Sequence, residues 1–170
     1  MKKLLMFLAI MVPMALFAQK SPIDKLFEKY ANQKGFTTVN ISGALLGFAS
    51  HIETGQDGVG DVLKGLNGVR ILTVENDELN KKLDFYKELE ADGFFKNHDY
   101  EVLMEVTEEN EVVRFYGKDA GEGKLAELLM VVGGDENVLI SIRGVIDPKD
   151  ISKITNSLDI DLGDMDIDIN

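Results

Sequence analysis

Histidine is the side chain whose ordinary pKa lies near neutral pH, so His51 and His98 are the first candidates for acid–base chemistry. His51 follows Ser50 at the end of an apolar helical pattern, and His98 lies in a polar segment that reads KNHD. A Ser–His hydrolase also needs an orienting carboxylate and an oxyanion hole, and the sequence contains no G-x-S-x-G motif. We therefore interpret both histidines as ordinary helix-end and turn residues, and we predict that the protein is not an enzyme.

Carboxylates are the second set of candidates, because hard cations such as calcium bind oxygen ligands. They occur in a glycine-rich loop at residues 53–60 and in the C-terminal segment 158–170, where acidic and apolar residues alternate. Neither segment has the spacing of an EF-hand, and the loop lacks the lysine of a phosphate-binding motif. We predict no cofactor, with calcium as the alternative. Its candidate ligands are Asp57, Asp61, Asp159, Asp161, Asp164, Asp166 and Asp168.

Acidic residues dominate the whole chain, which has 30 Asp and Glu against 18 Lys and Arg and a net charge of −12. This charge repels nucleic acid and anionic lipid, so we predict neither as a partner. The segment 158–170 has three open interpretations: a disordered acidic tail, an edge strand whose acids prevent aggregation, or a contact for calcium or a basic partner.

The first 18 residues have the pattern of an export signal. Lys2 and Lys3 precede an apolar run from Leu4 to Phe17, and Ala18 is a small residue at a plausible cleavage position. The chain has no cysteine, which excludes a disulfide framework, a thiolate zinc site and lipid attachment at a cysteine. We predict a periplasmic or secreted protein with no stable membrane insertion once the signal is removed.

Short helices in the first half of the chain must position any site. The segment Ser21-Pro22-Ile23-Asp24 has the pattern of a helix N-terminus, and an apolar stripe follows it as far as Ala31. Further helices are predicted at 42–52, at 61–67, between Asp77 and Gly93, and after Asp147. In the helix at 42–52, the residues expected to face the core are Leu45, Phe48, Ala49 and Ile52.

Strands are predicted at 36–41 and 69–75, and then four in succession at 100–107, 111–118, 124–132 and 137–146. If the apolar sides of the first two of these four share a face, Val106 lies opposite Val113. The same register places Glu105 opposite Arg114 and Glu101 opposite Lys118, which supports a hairpin.

The order of elements indicates an α+β fold, with a mixed, mostly antiparallel sheet, a C-terminal four-strand meander, and helices packed on one face. We predict a signal peptide at 1–18, a single domain at 19–157 and an acidic tail at 158–170.

Four segments together resemble a known family. They are LFEKYANQKGFTTVNIS (residues 26–42), GVRILTVEN (68–76), EVLMEVTEENEVVRFYGK (101–118) and ISIRGVIDPKDISKI (140–154). The sequence is similar to an uncharacterised family of small exported Gram-negative proteins catalogued as domain of unknown function 4252. The resemblance implies a signal-bearing or lipid-anchored envelope protein and no known catalytic residue. This chain departs from lipidated relatives because no cysteine follows its signal.

These observations favour a non-catalytic binding or regulatory module of the bacterial envelope. Its partner would be an envelope protein or a small ligand, and pairing of two copies through a strand edge is one expected arrangement. A calcium-dependent adhesive or structural module is the alternative, and a hydrolytic enzyme is less favoured.

Overall fold

A computed structural model describes residues 21–51, 58–151 and 153 of the chain. The predictions made for residues 1–18, for Asp57 and for the segment 158–170 lie outside the described residues. The described helices are α1 (Pro22–Tyr30), α2 (Gly43–Ala49), α3 (Val59–Gly65), α4 (Asp77–Asn80), α5 (Phe85–Ala91) and α6 (Phe94–Asn97), with a 3₁₀ turn at Pro148–Asp150. None of them is long and apolar enough to cross a membrane.

The strands form one sheet, made of β1 (Phe36–Ser42), β2 (Leu66–Val74), β3 (Tyr100–Thr107), β4 (Glu111–Gly121), β5 (Lys124–Gly134) and β6 (Val138–Ile146). Their order across the sheet is β1-β2-β6-β5-β4-β3, so β1 and β3 are the edge strands. Every neighbouring pair is antiparallel. The predicted α+β class is confirmed, although this sheet is antiparallel throughout rather than mixed.

Helices pack on both faces of the sheet, whereas we expected them on one face. On one face, α2 and α3 bury Leu46 and Leu63 in a cluster that includes Val69 of β2. On the other face, α1, α5 and α6 contribute Phe27 and Phe85, among others, to a second cluster. Strands β5 and β6 carry apolar side chains on both faces of the sheet, so helices must pack on both faces to bury them.

The N-terminus of α1 forms as predicted. The Ser21 hydroxyl accepts a hydrogen bond from the Asp24 backbone N–H at 3.2 Å, and Pro22 occupies the first helical turn. The buried side of α1 consists of Ile23, Leu26, Phe27 and Tyr30.

The β3–β4 hairpin also forms in the predicted register at the end next to its turn. Val106 lies opposite Val113, and Glu105 lies opposite Arg114, whose Nε is 2.5 Å from Glu105 Oε2.

A β-bulge at Leu103 then shifts the register of β3. Glu101 therefore lies opposite Gly117 rather than opposite Lys118, and the predicted pairing of Glu101 with Lys118 is wrong. The bulge also leaves Val102 56% exposed, because one extra residue reverses the alternation of inward and outward side chains.

The helix predicted between Asp77 and Gly93 is divided into α4 and α5. Asn76 caps α4 and Asp84 caps α5 through their side chains. Between the two helices, the Phe85 backbone N–H donates to Oδ1 of the buried Asn137 at 3.0 Å. Asn137 Nδ2 in turn donates to Leu83 O at 3.2 Å and to Asn80 Oδ1 at 3.2 Å. This buried amide joins the start of β6 to the break between the helices.

Candidate functional site

Helix α2 presents two large apolar side chains to solvent. Its sequence, GALLGFA, contains no charged or polar side chain. Leu46 is buried, whereas Leu45 is 58% exposed and Phe48 is 76% exposed. A helix that is apolar on all sides is normally buried on all sides, so the outer face of α2 has the composition of a covered surface.

The inward face of α2 is determined by a close approach to the sheet. The Ser42 hydroxyl accepts the Leu45 N–H at 3.3 Å and begins the helix. A side chain at Gly43 would meet Asn67 O of β2 at 2.7 Å, so this position lies directly against the backbone of the sheet. The prediction that Leu45 and Phe48 face the core is wrong, because apolar periodicity cannot identify the inner face of a helix without polar residues.

Strand β1 runs directly into α2, and among the described strands it lies at an edge of the sheet. Its sequence, FTTVNIS, has no charged residue and no proline, and its register with β2 is uninterrupted. Val39 lies opposite Ile71, which packs in the same cluster as Leu46, so Val39 is on the α2 face of the sheet. Edge strands usually carry a charge, a proline or a bulge that prevents pairing with another chain, and β1 carries none of these.

Both elements lie within residues 35–50, which contain no charged side chain although 28% of the chain is charged. We call β1 and α2, with the exposed side chains of Val39, Leu45 and Phe48, the uncharged surface. The charge-free run is visible in the sequence and is the signal that could have identified this surface without a structure.

The opposite edge strand, β3, has the protection that β1 lacks. It contains the bulge at Leu103, and it carries Glu101 and Glu105. At the end of β3, an open groove of about 680 Å³ is lined by Glu108, Glu109, Glu111 and Asp135, among others. Burial and the nearby carboxylates of Glu136, Glu108 and Asp135 raise the pKa of Glu111. This edge therefore repels an approaching acidic chain.

The uncharged surface lies within a region that a known protein family shares. The sequence model of a family described as a domain of unknown function, DUF4252, matches residues 30–154, which include all of the strands β1 to β6. The chain belongs to the DUF4252 family. No curated protein and no solved structure matches it.

The sheet of this DUF4252 protein also carries a network of paired charges on its α1 face. Asp24 of α1 accepts hydrogen bonds from Arg70 of β2 and from Arg143 of β6, the latter at 3.1 Å. Arg143 Nε lies 3.3 Å from Glu127 Oε1, and the Arg70 guanidinium lies 3.9 Å from the centre of the Phe27 ring. These contacts hold the start of α1 on the sheet. Asp24 itself lies outside the residues matched by the DUF4252 model.

Glu127 is the innermost carboxylate of this network. It is 7% exposed, and it accepts hydrogen bonds from the Ser141 hydroxyl at 2.5 Å and from the Tyr100 hydroxyl at 2.7 Å. Ser141 is 1% exposed, so no substrate can reach its hydroxyl in this conformation. Among the described residues, no buried side-chain nitrogen or oxygen lacks a hydrogen-bond partner. The network joins Tyr100 of β3, Glu127 of β5 and Ser141 of β6 across the sheet.

Two pKa shifts follow from the same network. Burial alone would raise the pKa of Asp24, but Arg143 and Arg70 outweigh burial and hold this pKa below the ordinary value. Burial and then the charge of Glu127 raise the pKa of Tyr100. Tyr100 therefore remains a neutral donor to Glu127 at physiological pH.

The two histidines lie at the ends of different helices. His51 is exposed, and its Nδ1 lies 2.7 Å from Gly47 O and 3.3 Å from Ser50 Oγ. His98 Nδ1 lies 3.1 Å from Phe94 O, and its ring stacks on that of Phe94 with 5.1 Å between centroids. Each ring thus lies within hydrogen-bond distance of a backbone carbonyl of its own helix.

Asp61 is the calcium candidate that lies among the described residues. It is exposed in the first turn of α3, and it lines a groove of about 340 Å³ together with Asp147 and Asp150. Each of these carboxylates is paired with a lysine, and Lys64 Nζ lies 3.4 Å from Asp61 Oδ1. In the described part of the chain, no group of three or more acidic or histidine side chains could hold a metal ion. Calcium binding remains a prediction for the candidates outside it.

Proposed function

We propose that this DUF4252 protein is an exported, non-catalytic binding module that recognises another protein through the uncharged surface. The observation that supports the proposal most directly is the exposure of Leu45 and Phe48 on a helix that has no polar side chain. The position of β1 at an edge of the described sheet, beside this helix, supports the proposal further, since an edge strand can accept a strand from a partner.

The proposed mode of binding combines backbone pairing with an apolar anchor. An extended segment of the partner adds to β1 through main-chain hydrogen bonds, and Phe48 enters an apolar pocket of the partner. Fully burying a phenylalanine contributes about 1.5–3 kcal/mol, so covering the exposed 76% of Phe48 would contribute about 1–2 kcal/mol before the costs of association. Backbone pairing provides affinity for any extended chain, and the pocket for Phe48 provides the specificity.

The charge of the protein narrows the class of partner. A net charge of −12 disfavours nucleic acid and anionic lipid. The export predicted from residues 1–18 makes a protein of the envelope the expected partner. A small ligand is less favoured for the uncharged surface, because ligand pockets are concave and Phe48 protrudes into solvent.

Photo-cross-linking in cells tests the proposal. A benzophenone amino acid would replace Phe48 in one variant and Val102, on the opposite edge, in the matched control. We expect a discrete cross-linked species from position 48 and none from position 102, and mass spectrometry of that species identifies the partner. The absence of any cross-link at position 48, or an equal pattern at both positions, would refute the proposed function.

A further inference from the structure

We infer that the partner seated on the uncharged surface is a second copy of this chain, joined through antiparallel pairing of β1 with β1. The inference rests on the proposed function, because it assigns an occupant to the same surface. The occupant follows from the charge of the surface, from the symmetry of an antiparallel edge strand, and from the contrast between the two edges of the sheet.

The charge of the surface favours a partner of the same sign. Oppositely charged partners usually carry complementary charges across their interface, so a basic partner would be met by carboxylates. Residues 35–50 contain none, although the chain carries a net charge of −12. Two copies repel each other elsewhere on their surfaces, and they can approach closely where both are neutral. A charge-free patch on an acidic protein is therefore suited to a second acidic chain.

The geometry of β1 is compatible with two-fold symmetry. An antiparallel strand pair can have a two-fold axis perpendicular to the sheet, and such an axis makes the interface isologous. Val39 is the central residue of β1, so a pair centred there places Val39 of one copy opposite Val39 of the other. The axis also brings α2 of both copies to the same face of the joined sheet, where Leu45 and Phe48 add apolar area to the strand pairing.

The contrast between the two edges supports the assignment to β1. The β3 edge carries Glu101 and Glu105 and is interrupted by the bulge at Leu103. The β1 edge is uncharged, regular and free of proline. Devices that prevent edge pairing are thus present on one side of the sheet and absent from the other.

Sedimentation velocity measures the monomer–dimer equilibrium and so tests the inferred β1–β1 dimer. The sample is the full-length gene product, purified from the cell fraction in which it is found. We expect a wild-type dimer at micromolar concentration. Val39→Lys and Val39→Glu should each weaken the dimer about tenfold, because the apolar Val39 pair is lost and like charges then lie directly opposite across the strands. An equal mixture of the two variants should restore dimerisation, since opposite charges then meet. Val102→Lys, the same substitution on the other edge, should leave the dimer unchanged.

Each contrary outcome has a distinct meaning. Val39 is 39% exposed, so both variants should fold, and far-UV circular dichroism with a thermal melt checks this. A wild-type protein that stays monomeric, a dimer unaffected by Val39→Lys, or a mixture that fails to recover would overturn the second-copy assignment. If position 48 then cross-links to a different protein, the proposed function stands without this inference. If position 48 cross-links to nothing, both are wrong.

Discussion

The side-chain amide of Asn137 joins the start of β6 to the break between α4 and α5. Replacing Asn137 with leucine tests whether this amide stabilises the apolar cluster beneath α1, α5 and α6. Asn137 is fully buried, and its side chain bonds the backbone of Phe85 and Leu83 as well as the side chain of Asn80. Leucine has a similar volume, so the substitution removes the hydrogen bonds without opening a large cavity.

The magnitude follows from the groups that lose their partner. The Phe85 N–H and the Asn80 Oδ1 remain behind in the protein interior without their partner, and each unsatisfied buried group costs about 1–3 kcal/mol. We therefore expect Asn137→Leu to lower the free energy of unfolding by about 4 kcal/mol, within a range of about 2–6 kcal/mol. With a urea dependence of about 2 kcal/mol per molar, the midpoint of unfolding falls by about 2 M.

Equilibrium urea unfolding, followed by far-UV circular dichroism, measures this effect in a chain without tryptophan. The matched control is Asn97→Leu at the exposed end of α6, for which we expect a change of no more than about 0.5 kcal/mol. An unchanged slope with a lowered midpoint would locate the effect in the native contacts. If Asn137→Leu unfolds at the same urea concentration as the wild type, the amide does not stabilise this core and our reasoning is refuted.

Three further predictions concern the charge network, the backbone and the uncharged surface. Because the folded pKa of Asp24 is depressed, its contribution to stability is present above the ordinary carboxylate pKa and is lost as pH falls through the folded value. Asp24→Asn should therefore be about 1.5–3 kcal/mol less stable than wild type at pH 7. The melting temperatures of the two proteins should converge as pH falls well below about 4. If they differ by the same amount at every pH, the ionised Asp24 carboxylate does not stabilise the fold. Gly144→Ala should destabilise the protein by more than about 2 kcal/mol, because φ is +152° and the new Cβ would meet Leu66 Cα at 2.6 Å. The control Gly47→Ala, with open space around the new Cβ, should instead stabilise α2 by about 0.5–1 kcal/mol in urea titrations. In the Val39→Lys background, where pairing through β1 is weakened, Phe48→Asp should change the unfolding free energy by no more than about 0.5 kcal/mol, whereas Phe85→Ala should lower it by about 3–5 kcal/mol. Equal effects would mean that Phe48 belongs to the core.

Local sequence patterns correctly predict those features of the fold that depend on interactions between residues close together in the chain. The cap of α1 depends on residues 21–24, and the hairpin register at Val106 and Val113 depends on alternation and charge within a short segment. Such features require only the preferences of neighbouring residues, so the sequence predicts them directly.

Features that depend on distant contacts could not be predicted in this way. The bulge at Leu103 occurs beside Gly117, where a side chain would come within 3.0 Å of Leu103, and alternation within β3 alone does not reveal it. Asp24 and Arg143 are 119 positions apart, so nothing in their surroundings indicates that they form an ion pair.

The uncharged surface was missed for another reason. Periodicity alone assigns the apolar residues of α2 to the core, whereas the absence of charge in residues 35–50 indicates an apolar surface that can contact another protein. A wholly apolar helix has no polar side to orient it, and only the approach of Gly43 to Asn67 decides which face is covered.

The difference between the two sheet edges also limits how large an assembly can become. A sheet with two bare edges would add copies at both ends and grow into a fibre, because each addition would expose a new edge. Here, joining β1 to β1 leaves only β3 at the two outer ends, and both ends carry the bulge and the glutamates. The bulged, acidic strand β3 thus prevents further strand pairing at both ends of the joined sheet. Assembly through β1 therefore stops at a dimer and does not continue into a polymer.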